Sequence, residues 1–155
     1  MVEVKRFWIV MAFVFLVASS INTPKNICEF IDKQDATYTI YSSKASSMVS
    51  DSPKYGEGYI VDVSIKNSTA LFSELKDNMY GQSVHFAGTF DDIESIIDKS
   101  NGQVALEDSF DGFCNIYLLG DFGESVVING KKVNMQIVYK DGFVTVGCPI
   151  ILGCY

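Results

Sequence analysis

The carboxyl half of the chain, residues 103–155, alternates apolar and polar side chains with a period of two and shows no helical period. Turn signals interrupt it about every ten residues, at 111–112, 120–123, 129–130 and 141–142. Asn129-Gly130 is the strongest hairpin signal, because both residues tolerate the positive φ that a type I′ turn requires. The pattern predicts an antiparallel meander whose apolar side must be covered by other elements.

The last two predicted strands carry most of the apolar residues of this half. Val133, Met135, Ile137 and Tyr139 alternate with Asn134 and Gln136, so we expect the first set to face the core and the second to face water. The segment FVTVGCPIIL returns as the partner strand across the turn at 141–142. Since Pro149 cannot donate to a ladder, this strand should lie at an edge there or be broken by a bulge.

Helical periods are confined to the first two thirds of the chain. We predict a short helix over 24–34 capped by Thr23, a helix over 69–79 capped by Ser68 and ended by Gly81, and a helix after Thr89 ended by Gly102. The third helix has a predicted buried stripe and acidic residues in its first turn, where they favour the helix dipole. The stripe consists of Phe90, Ile93, Ile96 and Ile97.

Three further segments alternate as strands, namely 37–43, 58–66 and 82–88, and residues 46–58 are rich in serine and glycine and predict an exposed loop. Together these elements predict one α+β domain over residues 21–155. We expect two layers, with three short helices packed on one face of a curved antiparallel sheet of six to eight strands.

The amino terminus reads as a secretory signal over residues 1–20. Lys5 and Arg6 precede an uncharged apolar run at 7–18, which is shorter than the roughly 20 residues that span a bilayer. Ala18-Ser19-Ser20 supplies the small residues of a cleavage site, and we expect cleavage after Ser20. The alternative is an uncleaved anchor through residues 7–18 that holds the protein on the outer face of the membrane.

The acidic balance excludes two classes of partner. The chain has 12 basic and 19 acidic side chains, and removal of residues 1–20 leaves a net charge near −8. The basic residues occur singly among carboxylates, so no basic stripe exists to bind a phosphate backbone. We therefore expect no nucleic-acid partner, and no membrane contact except through residues 7–18 if they are retained.

The four cysteines leave two alternatives open, free thiols or one disulfide. Cys148 and Cys154 would stand roughly 20 Å apart on one extended strand, so they can pair only if residues 149–153 turn back. Cys114 lies in the apolar run FCNIYLL, where a buried thiol is the commoner state.

No catalytic, metal or cofactor motif emerges from the chain. His85 is the single histidine, and a metal site or a Ser-His-Asp triad would have to use it. Asp121-Phe122-Gly123 lacks the other kinase motifs and predicts a turn. We therefore expect a non-enzymatic protein without cofactors, and the alternative is a small secreted hydrolase that uses His85.

Four tyrosines are crowded near the serine-rich loop, and they form the candidate binding surface. These residues are Tyr38, Tyr41, Tyr55 and Tyr59. Tyrosine is suited to such a surface because its ring is apolar and its hydroxyl hydrogen-bonds. The competing interpretation is that these rings simply cover strand edges.

The closing segment INGKKVNMQIVYKDGFVTVGCPIILGCY resembles the C-terminal signature of the secreted YwmB-like proteins of spore-forming Firmicutes. The matching positions are Asn129, Gly130, Asn134, Gln136, Gly147, Pro149, Ile150, Ile151 and Tyr155. The resemblance implies a fold like that of the TATA-box-binding protein, without DNA binding and without catalytic residues. Export together with the absence of a catalytic cluster predicts a binding role in the cell envelope or in sporulation, with an unknown envelope protein or ligand as the partner.

Overall fold

The structure, a computed structural model, describes residues 24–152, so the predicted signal at 1–20 lies outside the described residues. It contains two α-helices, α1 (Ser68–Leu75) and α2 (Phe90–Ser100), and three short 3₁₀-helices, Ile27–Phe30, Ile65–Asn67 and Lys76–Asn78. The strands are β1 (Thr37–Ser42), β2 (Lys54–Tyr55), β3 (Gly58–Ser64), β4 (Met79–Ala87), β5 (Gln103–Phe110), β6 (Phe113–Leu119), β7 (Val126–Ile128), β8 (Lys131–Val133), β9 (Met135–Lys140) and β10 (Phe143–Cys148).

Eight strands form one antiparallel sheet in the order β2-β3-β1-β4-β10-β9-β6-β5. This confirms the predicted α+β class and the antiparallel sheet. The strands β7 and β8 pair with each other in a separate hairpin, so the carboxyl half is not one continuous meander. Asn129 and Gly130 join them with φ values of 49° and 76°, as the hairpin prediction requires.

One face of the sheet, which we call the core face, is apolar across its width. The register places Tyr38, Val84, Val146, Ile137 and Ile116 side by side on five neighbouring strands, and each is 7% exposed or less. Both α-helices contribute to the same hydrophobic cluster. Their buried members are Leu71, Leu75, Ile93 and Ile96.

The other face, which we call the opposite face, carries a mixed set of side chains. Its middle row runs through Thr39, Ser83, Gly147, Gln136 and Tyr117. A row nearer the turn at 141–142 holds Phe143, Lys140, Phe113 and Phe110. The sheet therefore presents aromatic and polar groups on the side away from the core.

Helix α2 is predicted almost correctly, because its signals are local. Thr89 and Asp92 form a capping box in which the Thr89 N–H donates to Asp92 Oδ2 over 2.8 Å. The placement of Phe90 in the buried stripe is wrong, since this side chain is 52% exposed and its ring lies against Tyr139. The helix ends at Ser100, and its C-cap is Asn101 with a φ of 53°, one residue before the predicted Gly102.

The other two predicted helices are shorter than expected. Helix α1 ends at Leu75, and Met79 and Gly81 belong to β4, where Met79 pairs with Ser42 and Gly81 pairs with Tyr41. Strand pairing of β4 with β1 thus replaces the last turn of the predicted helix. Ser68 does not cap the helix either, because it is a buried helical residue and Asn67 is the N-cap.

The helix predicted at 24–34 is reduced to one 3₁₀ turn, Ile27–Phe30. Thr23 lies outside the described residues, and the observed cap is Asn26, whose Oδ1 accepts a hydrogen bond from Cys28 N. The amide of Ile27 donates to Gln82 Oε1 on β4. Because the sheet satisfies this segment's backbone, a longer helix is not formed.

The prediction that Asn134 and Gln136 face water is wrong, since they are 3% and 4% exposed. Asn134 is covered by the 120–123 turn, to which its amide donates two hydrogen bonds and from which it accepts one.

The prediction that the last strand lies at a sheet edge near Pro149 is also wrong. Strand β10 lies between β4 and β9 and ends at Cys148, immediately before the proline.

The described cysteines, Cys28, Cys114 and Cys148, are all free, and Cys154 lies outside the described residues. Cys114 and Cys148 are each 4% exposed. Burial raises the pKa of the Cys28 thiol to about 11 and also raises the pKa of Cys148. Free thiols, half-buried at Cys28 and buried at Cys114 and Cys148, are thus the alternative that the structure supports for these three residues.

These thiols should be almost inert in the folded protein. At pH 8 a thiol of pKa about 11 is ionised roughly a hundredfold less than an ordinary one, and the thiolate is the reactive species. In a Cys154→Ser chain we expect a disulfide-exchange reagent to detect thiols at pH 8 only after guanidinium is added. Reaction of any thiol within seconds in the native protein would contradict the observed burial.

Candidate functional site

The four predicted tyrosines do not form one surface. Tyr38 is fully buried on the core face, and its hydroxyl donates to Gln82 Oε1 over 2.8 Å. Burial raises the pKa of Tyr38 above its ordinary value. Including Tyr38 in a binding surface is therefore wrong. Tyr55 lies in β2, with its side chain outside the described residues, and Tyr41 and Tyr59 line a common cavity.

This cavity, which we call the tyrosine pocket, has a volume of about 290 Å³. Its lining residues are Tyr41, Glu57, Gly58, Tyr59, Tyr80 and Leu152. The lining is mainly apolar, with the phenol rings of Tyr41 and Tyr80 and one carboxylate. Tyr59 adjoins the cavity on β3, but its pairing with Ser42 directs its ring to the core face, where it packs against the hydrophobic cluster. Small-molecule sites commonly have this composition, in which apolar walls carry a few polar groups.

An irregularity in the sheet brings the third tyrosine to the pocket. The pairing of β1 with β4 shifts between Tyr41 and Ser42, so that Gly81 and Met79 are paired and Tyr80 between them is the extra residue. Such bulges change the direction of a side chain at the end of a sheet. Tyr80 is accordingly 59% exposed in the middle of the sequence MYG, instead of pointing into the core.

Gly58 provides the space that Tyr80 occupies. A Cβ atom at this position would lie 3.3 Å from Tyr80 Cε2 and 2.9 Å from the backbone oxygen of Ser42. The second distance is one that Cβ atoms essentially never show, and the backbone atom cannot rotate away. The absence of a side chain at position 58 therefore lets the Tyr80 ring approach β3.

The last lining residue, Leu152, reaches the pocket because the chain folds back after β10. We call residues 149–152 the C-terminal tail. Gln136 Oε1 accepts a hydrogen bond of 3.1 Å from Ile151 N, which holds the tail over β9. Two glycines lie beneath it. A Cβ on Gly147 would be 2.7 Å from Ile151 N, and one on Gly81 would be 2.7 Å from Leu152 Cδ1.

The orientation of Gln136 is itself determined by neighbouring strands. Its Nε2 group donates to Asn115 Oδ1 over 3.0 Å and approaches the Tyr117 hydroxyl, and Asn115 Nδ2 donates to the same hydroxyl. These contacts leave Oε1 free to receive the tail. Asn134, Gln136 and Gly147 of the C-terminal motif thus have structural roles. Asn134 binds the 120–123 turn, Gln136 hydrogen-bonds the tail, and Gly147 leaves space for the tail to pack on β10.

The loop between β1 and β2 is anchored to helix α1, and it leads to the turn that carries Glu57. Ser47 N and Ser46 Oγ each donate to the Glu74 carboxylate over 2.7 Å. The backbone hydrogen bond from Ser47, followed by that from the Ser46 hydroxyl, lowers the pKa of Glu74. This contact ties the otherwise irregular serine-rich segment to the body of the domain.

The charge distribution at the pocket is one-sided. Glu57 is the one acidic residue in the lining, and none of the lining residues is basic. Lys54 Nζ lies 6.0 Å from the centroid of the Tyr59 ring, and the strand register places both of these side chains on the other side of the sheet from Tyr41. The pocket therefore combines π faces with a carboxylate.

His85 lies on the opposite face, four residues along β4 from Gly81 and therefore roughly 13 Å from this end of the sheet. Its Nδ1 atom is 2.9 Å from Thr145 Oγ1, and its ring stacks on Phe143 with centroids 5.1 Å apart. These contacts hold the imidazole between a hydroxyl and an aromatic ring. No described contact pairs it with a carboxylate.

Sequence reasoning missed Glu57, Gly58, Tyr80 and Leu152 as site residues. Tyr80 had been assigned to a helix end and Leu152 to an extended strand. Only the tyrosine cluster itself, of which Tyr41 and Tyr59 belong to the site, was visible as a local signal. The bulge and the tail depend on pairings across the sheet that a local pattern does not reveal.

Within residues 24–152, no group of three or more histidine, cysteine, aspartate or glutamate side chains is arranged to hold a metal ion. None of the helices in that range is both long enough and apolar enough to cross a bilayer. In comparisons with known proteins, no family model, no curated protein and no solved structure matches the chain.

Proposed function

We propose that this protein is an exported, non-enzymatic binding protein of the cell envelope and that the tyrosine pocket is its binding site. The observation that carries the proposal is the convergence of Tyr41, Tyr59 and Tyr80 on one cavity of about 290 Å³. Three different strands supply these lining residues, so the cavity is a product of tertiary structure. Amphipathic rings at a partly open cavity suit recognition of a ligand that is neither fully apolar nor fully polar.

The export part of the proposal rests on the amino terminus and on charge. The apolar run at 7–18 followed by Ala18-Ser19-Ser20 has the form of a signal segment. The acidic balance disfavours nucleic acid and anionic membrane as partners. The partner is then an envelope protein or a ligand, and membrane contact is limited to residues 7–18 if they are retained.

We further propose that both helices lie on the core face, which would give the two-layer arrangement of a TATA-box-binding-protein-like fold and agree with a YwmB-like relationship. The support is the shared cluster of Leu71, Leu75, Ile93 and Ile96 with the core face. The roles of Asn134, Gln136 and Gly147 in seating the tail give a physical reason for the C-terminal motif. In that arrangement the opposite face, with the pocket at its end, is the working surface.

The proposal is tested by recovering bound material from intact cells with the tagged protein and with a Tyr41→Ser/Tyr80→Ser variant. We expect the wild-type protein to retain one reproducible partner and the double variant to lose at least about 90% of it. His85→Ala is the matched control, because His85 lies on the same face outside the pocket, and it should retain the partner.

Three outcomes would refute parts of the proposal. Equal recovery by wild-type protein and double variant would remove the pocket as the binding site. An exported protein whose amino terminus is Met1 would remove the cleaved signal. Loss of a hydrolytic activity in His85→Ala, with unchanged partner recovery, would favour the secreted hydrolase instead.

A further inference from the structure

We propose that the tyrosine pocket selects an organic cation, with an alkylated ammonium group as the recognised chemistry. This inference deepens the proposed function and rests on it. It follows from the ring content, the charge and the size of the cavity, which are considered in turn.

The ring content favours a positive ligand. Tyr41 and Tyr80 present their phenol rings to the cavity, and each ring has a negative π face that attracts a cation within about 6 Å of its centroid. Alkylated ammonium groups are recognised in this way because their methyl groups contact the rings while the charge interacts with the quadrupoles. Lysine-like ammonium groups bind less well in such sites, since they are more strongly hydrated.

The charge of the lining favours the same ligand. Glu57 is acidic and no lining residue is basic, so an anion would meet repulsion without a counter-charge. A neutral ligand would fill the apolar part and leave the carboxylate without a role. A cation interacts favourably with both, and the net charge of −7 attracts it over longer distances.

The size of the cavity limits the ligand to a small head group. A volume of about 290 Å³ is at the lower end of the range for small-molecule pockets. Leu152 and Tyr80 are among its lining residues, and the exposed Tyr80 side chain can adjust to a ligand. Choline and its uncharged isostere, 3,3-dimethylbutan-1-ol, therefore make a matched pair of probes with the same shape.

The test is a titration of the exported protein with each probe, followed through the backbone amide resonances of Gly58 and Gly81. These amides lie at the pocket. We expect choline to shift both resonances with saturation in the millimolar range, and the uncharged isostere to bind at least about tenfold more weakly. Equal affinity for the two probes, or no shift with choline, would overturn the inference.

Two variants sharpen the result. Tyr80→Leu and Glu57→Gln should each weaken choline binding about threefold or more. Phe110→Leu is the control, since Phe110 is 65% exposed on the edge strand β5, across the sheet from the pocket, and should leave the affinity unchanged. Unaltered choline affinity in both Tyr80→Leu and Glu57→Gln would place any choline binding elsewhere.

The two proposals fail separately. If the isosteres bind alike while Tyr41→Ser/Tyr80→Ser still loses its cellular partner, the pocket is a binding site without cation selection. If the cellular partner is retained by that variant, the proposed function fails regardless of the choline result.

Discussion

Gly147→Ala is expected to lower the free energy of unfolding by about 2–4 kcal/mol and to displace the C-terminal tail. The added Cβ would lie 2.7 Å from Ile151 N and 2.9 Å from the carbonyl carbon of Ile150. Both are backbone atoms, so no rotamer change relieves the contact. The tail must move, and the hydrogen bond from Ile151 N to Gln136 Oε1 is then lost. Urea unfolding of wild-type and variant proteins measures the difference.

A shortened chain provides the control for this prediction. In a protein ending at Pro149 the atoms that the new methyl group would meet are absent, and Gly147→Ala should then change the stability by less than about 1 kcal/mol. The same substitution in the full chain should also weaken ligand binding, because Leu152 leaves the tyrosine pocket. An equal loss of stability in the full and the shortened chain would show that the tail is not the obstacle.

Gln82→Leu is expected to destabilise the fold by about 3–5 kcal/mol, a large part of the stability of a domain of this size. Gln82 is 1% exposed, and its Oε1 accepts from Ile27 N and from the Tyr38 hydroxyl. Its Nε2 group donates to the backbone oxygen of Lys25. Leucine has a similar volume but leaves the Ile27 amide and the Tyr38 hydroxyl buried without a hydrogen bond and removes the donor to the Lys25 oxygen. Thermal or urea unfolding should detect the loss.

Two comparisons make this prediction specific. Tyr38→Phe removes one of the three hydrogen bonds and should destabilise by about 1–2 kcal/mol. Gln103→Leu makes the same change at an exposed position on β5 and should be nearly neutral. If Gln82→Leu were no more harmful than Tyr38→Phe, the amide of Gln82 would not be the link between the segment at 25–27 and the sheet.

The elements that were predicted well are those whose signals lie within one short segment. Helix α2 begins at its capping box, Thr89 and Asp92, and the β7–β8 hairpin turns at Asn129-Gly130. In both cases neighbouring residues decide the backbone conformation through a side-chain hydrogen bond or a tolerated positive φ. Pairing partners elsewhere in the chain do not change that outcome.

The elements that were predicted poorly depend on distant partners. Residues 76–81 continue the helical pattern of α1, yet β4 begins at Met79 because the sheet satisfies its backbone from β1 and β10. Asn134 and Gln136 alternate like water-facing residues, yet a turn and the tail cover them. The period of a strand identifies its two faces, but it cannot show which segment covers the second face.

The candidate site shows the same division. The cluster of tyrosines was a local signal and identified Tyr41 and Tyr59, but it included Tyr38, which belongs to the core face. Tyr80 and Leu152 join the site through a bulge and a folded-back tail. Neither the bulge nor the folded-back tail has a sequence pattern that distinguishes it from an ordinary strand or turn.

By itself, the amino-acid sequence determined the antiparallel α+β class, the capped helix after Thr89 and the glycine turns, because each depends on periodicity or on the conformational freedom of adjacent residues. Only the tertiary structure decided which tyrosines meet at a cavity and which is buried. That outcome depends on the register between β1, β3 and β4 and on the seating of the tail over Gly147 and Gly81. Such contacts join residues far apart in the chain, so they form and stabilise the fold only when the whole sheet is assembled.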